Sequence, residues 1–128
     1  MTKNVKKKIV VIDDSRTARQ IVTNALCAAG YEVIEAVDGH DGLLKINEHP
    51  DASLVLCDVN MPNLNGIQLL SAMRTDHPAL KMPIVMVTTE ADLEMVQQAK
   101  QTGAKGWIVK PFKEHMLVAA VRKLVGDV

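Results

Sequence analysis

The chain has 128 residues, with 15 lysines and arginines against 15 aspartates and glutamates, a length suited to one domain around one core. Such a balance gives no reason to expect a nucleic-acid or membrane surface. No apolar run approaches the ~20 residues of a membrane span or forms the continuous apolar region of a signal peptide. Cys27 and Cys57 lie within apolar patterns and lack metal-ligand spacing, so both are expected as buried free thiols in a reducing, cytoplasmic compartment. Lys3, Lys6, Lys7 and Lys8 predict a frayed basic terminus over residues 1–7 of a single domain.

Lys8-Ile9-Val10-Val11-Ile12 is a β-branched run ending in Asp13-Asp14-Ser15. Ala18, Ile21, Val22, Ala25, Leu26 and Ala29 then recur at helical spacing, and Gly30 supplies a stop. Tyr31 to Ala36 reads as a second strand. Asp38-Gly39-His40-Asp41-Gly42 opens a helix through Asn47, with Leu43 and Ile46 inward and Asp38 as its N-cap. Ser53 to Asp58 is a third strand, and Pro62, Asn63, Asn65 and Gly66 mark a loop. Ile67, Leu70 and Met73 define a third helix that fades near Asp76-His77-Pro78. Pro83 to Thr88 is a fourth strand, with proline tolerated at its first position. Ala91 to Thr102 carries only a thin apolar stripe (Met95 or Val96, Ala99) before Gly103, which predicts light packing. Lys105 to Val109 is a fifth strand, and Leu117, Ala120, Val121 and Leu124 mark a closing helix.

Strand and helix alternate five times with short connections, which predicts an α/β fold: a parallel sheet with helices on both faces. In such a sheet every strand's carboxyl end lies on one edge, where sites form. That edge collects Asp13 and Asp14, then Asp58, then Thr88-Thr89-Glu90, then Lys110-Pro111. Singly, each has an ordinary use: Asp13, Asp14 or Ser15 as a helix cap, Thr88 as another, Lys110 as a surface lysine.

Together they raise a charge problem. Two unit charges 4 Å apart interact by about 4 kcal/mol at an effective dielectric near 20, so clustered carboxylates need protons, a cation or Lys110. Oxygen ligands without histidine or cysteine favour Mg²⁺. A carboxylate beside that ion can act as a nucleophile toward phosphorus, with Lys110 and the Thr88 hydroxyl suited to the phosphoryl oxygens. Residue chemistry leaves Asp58 and Asp14 both eligible as that nucleophile.

Asp13-Asp14, Asp38-Gly39-x-x-Gly42, Asp58 with Asn60-Met61-Pro62-x-x-x-Gly66, Thr88 and Lys110-Pro111 resemble the receiver domain of two-component response regulators, over essentially the whole chain. The resemblance implies a flavodoxin-like (CheY-like) five-stranded sheet of order 2-1-3-4-5. It makes Asp58 the phosphoacceptor, with Mg²⁺ held by Asp14, Asp58 and the Asn60 main-chain carbonyl, and by Asp13 through water. Lys110 would pair with the phosphoryl group, Thr88 would move to bond it, and the Lys110-Pro111 bond would be cis. Trp107 occupies the place of an aromatic switch residue. Asn60 and Glu90 would tune phosphoryl lifetime.

Thr88-Thr89-Glu90 and the stretch from Gly106 to Phe112 are similar to the stand-alone chemotaxis type. This implies a monomeric phosphoacceptor switch, not a true enzyme, in phosphorelay signal transduction. Its partners would be a CheA-like histidine kinase, and a flagellar motor switch protein or a phosphatase. Where motor-binding members carry lysines and a charged last helix, this chain has Asp92, Leu93, Val118 and Ala120. A phosphate sink or relay component on the same fold therefore stays open. Two rival chemistries fit less well. An aspartate-nucleophile phosphatase wants Asp-x-Asp after its first strand, and a flavin or nucleotide site wants a Gly- or Ser/Thr-rich loop there.

Overall fold

Five strands and five helices alternate along the chain in the computed structural model, which describes residues 6–77, 80–89 and 94–126. They are β1 (Lys8–Ile12), α1 (Arg16–Ala28), β2 (Glu32–Ala36), α2 (Gly39–Glu48), β3 (Leu54–Asp58), α3 (Gly66–Asp76), β4 (Ile84–Thr89), α4 (Glu94–Thr102), β5 (Gly106–Lys110) and α5 (Glu114–Val125). The sheet is parallel throughout, in the order β2-β1-β3-β4-β5. The elements expected from sequence are all present, with ends shifted by a residue or two, except that the expected start of the fourth helix at Ala91 lies outside the described residues.

Successive side chains of a strand face opposite ways, and the two cores follow that alternation. Ile9 and Val11, Leu54 and Leu56, and Val85 and Val87 pack with Val22, Leu26, Leu117 and Val121 of α1 and α5. Val10 and Ile12, Val55 and Cys57, and Ile84 and Met86 face Ile46, Leu70, Met73 and Ala99 of α2, α3 and α4. Both faces of the inner strands are covered, which is why their sequences read as unbroken apolar runs.

Caps fix where the helices begin beside the sheet edge. Ser15 Oγ accepts from the Ala18 N–H at 3.2 Å, and Asp38 accepts from the Asp41 N–H at 2.8 Å, as expected for that N-cap. α3 starts with a reciprocal capping box between Asn65 and Gln68, both bonds 2.8 Å. The Asn-x-x-Gln spacing carries that signal. Gly66 is there because a Cβ would stand 2.7 Å from the Asp58 carbonyl oxygen, a backbone atom that cannot yield.

One sequence expectation is corrected. Cys27 is exposed, although Cys57 is buried; it follows inward-facing Leu26 by one residue, about 100° around the helix. Lys7 is tied to the fold through both its main chain and its side chain. The Lys7 carbonyl accepts from the Glu32 N–H at 3.0 Å, and its ammonium donates to the Val125 carbonyl at the end of α5, where a cation suits the helix dipole. Among the described residues, no helix is long and apolar enough to cross a membrane.

Candidate functional site

β1 and β3 end side by side, with Ile12 in register with Cys57, so Asp13 and Asp58 emerge together. By strand alternation both side chains turn toward the α1–α5 side. β5 delivers Lys110 to the same side two strands away, and the bond from Lys110 to Pro111 is cis, as expected. The Lys110 ammonium donates to Asp13 Oδ2 at 2.9 Å and to Asp58 Oδ2 at 3.4 Å. Carboxylate oxygens of Asp13, Asp14 and Asp58 all lie within 4.8 Å of one another. Asp13 is buried, at 4% exposure, whereas Asp14 is exposed.

Backbone donors orient these groups. The Ser15 N–H donates to Asp13 Oδ1 at 2.8 Å, and the Asn60 N–H to Asp58 Oδ1 at 3.2 Å. Burial is the largest influence on the Asp58 carboxyl. It outweighs the attraction of Lys110, is reinforced by the Asp13 charge, and pushes the pKa from 3.8 up to about 6. Burial alone would depress the Lys110 ammonium. Its hydrogen bond to Asp13, with the charges of Asp58 and Asp13, overcomes that and holds it above the ordinary lysine value. Cys57, one residue before Asp58, is raised by complete burial and then by the neighbouring Asp58 and Asp13 charges, so it stays an inert thiol.

Three carboxylates thus face one ammonium, which bonds Asp13 and Asp58 and leaves the cluster with more negative than positive charge. A divalent cation would supply the missing charge. The all-oxygen donors fit Mg²⁺, which takes one or two carboxylates and keeps water and phosphate oxygens. The Asp13, Asp14 and Asp58 carboxylates are the groups placed to hold it.

Thr88 and Trp107 face the other side of the sheet. Thr88 is the penultimate residue of β4, on the α4 side, 1% exposed, and its hydroxyl donates to the Thr89 carbonyl at 3.1 Å. Trp107 is two residues earlier on the adjacent register, paired with Met86, and therefore on the same side as Thr88. It is 40% exposed, with the Lys100 ammonium 4.2 Å from its ring centroid. Asn60 is exposed beside Asp58. Glu90, and with it Asp92 and Leu93, lies outside the described residues.

One feature of the site was not foreseen. Arg19 Nη1 donates to the Asp13 carbonyl at 2.7 Å while Nε donates to Glu35 at 3.1 Å. No sequence pattern announces it, because one of its two partners is main chain.

Residues 9–122 match the family described as response regulator receiver domain. The chemotaxis protein CheY1 of Helicobacter pylori is 37% identical over 120 residues, covering 93% of this chain and 97% of that one. A chemotaxis protein CheY homolog of Campylobacter jejuni is 35% identical over 120 residues, covering 93% of this chain and 92% of its own. The chemotaxis response regulator CheY4 of Vibrio cholerae superposes with a TM-score of 0.85 at 37% identity, covering 94% of this chain and 99% of that structure. With the strand order and the carboxylate cluster already in place, these matches settle the classification: the chain belongs to the response regulator receiver domain family.

Proposed function

We propose that this receiver takes a phosphoryl group onto Asp58, from the phosphohistidine of a histidine kinase or from a small acyl phosphate. The observation that carries this reading is Lys110, whose ammonium spans Asp13 at 2.9 Å and Asp58 at 3.4 Å within the carboxylate cluster. An Asp58 oxygen attacks phosphorus and the bond from phosphorus to the imidazole nitrogen breaks. The bonding pair leaves with the imidazole, and an aspartyl phosphate remains. With its pKa near 6, Asp58 is mostly ionised at neutral pH even before a cation binds. Asp14, Asp58 and the Asn60 main-chain carbonyl, with Asp13 through water, would hold Mg²⁺, which would supply positive charge to the phosphoryl oxygens. Lys110 already reaches Asp58, so it can keep one charge-assisted bond when the acceptor becomes a phosphoryl oxygen.

Thr88 then exchanges the Thr89 carbonyl for a phosphoryl oxygen. Trp107, on the same side of the sheet, turns inward from its place against Lys100. That movement remodels the α4–β5 surface and changes its affinity for partners. Asn60 and Glu90 govern how water reaches the acyl phosphate. Chemotaxis signalling is the setting supported by the Helicobacter and Campylobacter relatives. The partners in that setting are a CheA-like kinase and a flagellar motor switch protein or a phosphatase. The chain acts as a cytoplasmic monomer and catalyses only its own phosphorylation and dephosphorylation. Trp107, Pro111, Phe112, Met116 and Ala120 line an apolar groove suited to a partner, and Val118 is partly buried against the core.

Intact mass after incubation with Mg²⁺ and a small acyl phosphate tests the chemistry. One added phosphoryl group is expected, absent in Asp58→Asn and without Mg²⁺. Addition that persists in Asp58→Asn would sink the assignment.

A further inference from the structure

Arg19 is on the first turns of α1, its side chain only 12% exposed. Its two bonds join two elements: Nη1 to the Asp13 carbonyl after β1, at 2.7 Å, and Nε to Glu35 Oε1 on β2, at 3.1 Å. The Asp13 carbonyl belongs to the peptide that links Asp13 to Asp14, a rigid planar unit. Holding that plane sets ψ of Asp13 and φ of Asp14, and with them the directions in which both side chains leave the backbone. Asp13 has further anchors, through Ser15 and Lys110. Among the described residues none bonds the exposed Asp14 carboxylate, so the held plane, by fixing its Cα–Cβ direction, is what limits where it can reach.

We infer that Arg19 is a positioning residue for the divalent cation, acting through the Asp13–Asp14 peptide and touching neither the ion nor the phosphoryl group. The inference rests on the reading of Asp13, Asp14 and Asp58 as a Mg²⁺ site. Two effects of Arg19 have opposite signs. Through space its positive charge repels a cation, so removing it would tighten Mg²⁺ binding. Through the hydrogen bond it orders two ligands, so removing it would loosen binding. The Glu35 carboxylate at 3.1 Å, itself 41% exposed, cancels and screens the guanidinium charge locally. Residues that orient metal ligands are typically worth about 10–100-fold in affinity. The positioning effect therefore wins, and the sign of the change reports it.

The test is calorimetric titration of the full chain with Mg²⁺, alongside thermal unfolding with and without the ion. Arg19→Met is expected to weaken Mg²⁺ binding ~10-fold and to lose a matching part of the Mg²⁺-dependent rise in Tm. At saturating Mg²⁺ it should still be phosphorylated by a small acyl phosphate. Arg19→Lys keeps the charge without the planar fork and should fall between wild type and Arg19→Met. Glu35→Gln should stay within about threefold of wild type. Unchanged or tighter Mg²⁺ binding in Arg19→Met overturns the inference, as does an equal loss in Glu35→Gln. If Arg19→Met does not fold, wild-type affinity in Arg19→Lys overturns it instead. Absence of Mg²⁺ binding by the wild type would overturn the metal reading itself, and this inference with it.

Discussion

At the carboxyl ends of β1 and β3, Asp13 is held by the Ser15 N–H, the Lys110 ammonium and, at its carbonyl, Arg19, each bond 2.7–2.9 Å long. On the other side of the sheet Trp107 is 40% exposed, with the Lys100 ammonium 4.2 Å from its ring centroid. α4 beneath that contact buries just Val96 and Ala99. One region holds its charges with several short bonds. The other packs lightly, which is the division that the proposed switch needs.

The first way to break this comparison is at the charged edge. Lys110→Met removes the ammonium shared by Asp13 and Asp58, and phosphorylation by an acyl phosphate at saturating Mg²⁺ should slow by about 10²-fold. A loss below about tenfold would mean that Lys110 serves chiefly to neutralise Asp13.

The second concerns the unsatisfied carboxylate. Asp58 binds its proton more tightly when folded, at about 6 against 3.8. Its contribution to stability is complete below the ordinary value and is lost as pH rises through about 6. Without divalent cation, denaturant unfolding should show stability falling between about pH 4 and pH 6 by of order 2 kcal/mol. Asp58→Asn should lack that component and be the more stable protein at neutral pH. Identical pH slopes in the two proteins would contradict the raised pKa.

The smallest effect belongs to the loose region. A cation over an exposed ring contributes about 0.5–1 kcal/mol, so Lys100→Met should shift the outward population of Trp107 by about 2–5-fold. Trp107 is the sole tryptophan of the chain, and acrylamide quenching reads it directly. Weaker quenching of unphosphorylated Lys100→Met is the expected result, and equal quenching would show that Lys100 does not hold the ring.

The same contrast explains what the sequence made legible. Unbroken apolar runs such as residues 9–12 and 54–57 announce strands covered on both faces, and the residue after each run is thereby placed at the site. Asp13, Asp58 and Lys110 could be brought together on that basis alone. Which side of the sheet each would face depends on register, and this separates Thr88 and Trp107 from the carboxylates. Arg19 was hidden because its partner is a carbonyl oxygen, which every residue possesses. Cys27 was misplaced because an apolar neighbour at one residue's distance on a helix points elsewhere.

The central claim is that the phosphoryl group goes to Asp58 and not to the neighbouring Asp14. Borohydride reduces an aspartyl phosphate to homoserine and leaves free carboxylates unchanged, so reduction followed by peptide sequencing in the mass spectrometer marks the acceptor. The account predicts homoserine at position 58 alone, formed only with Mg²⁺ present. Homoserine at position 13 or 14 would contradict it.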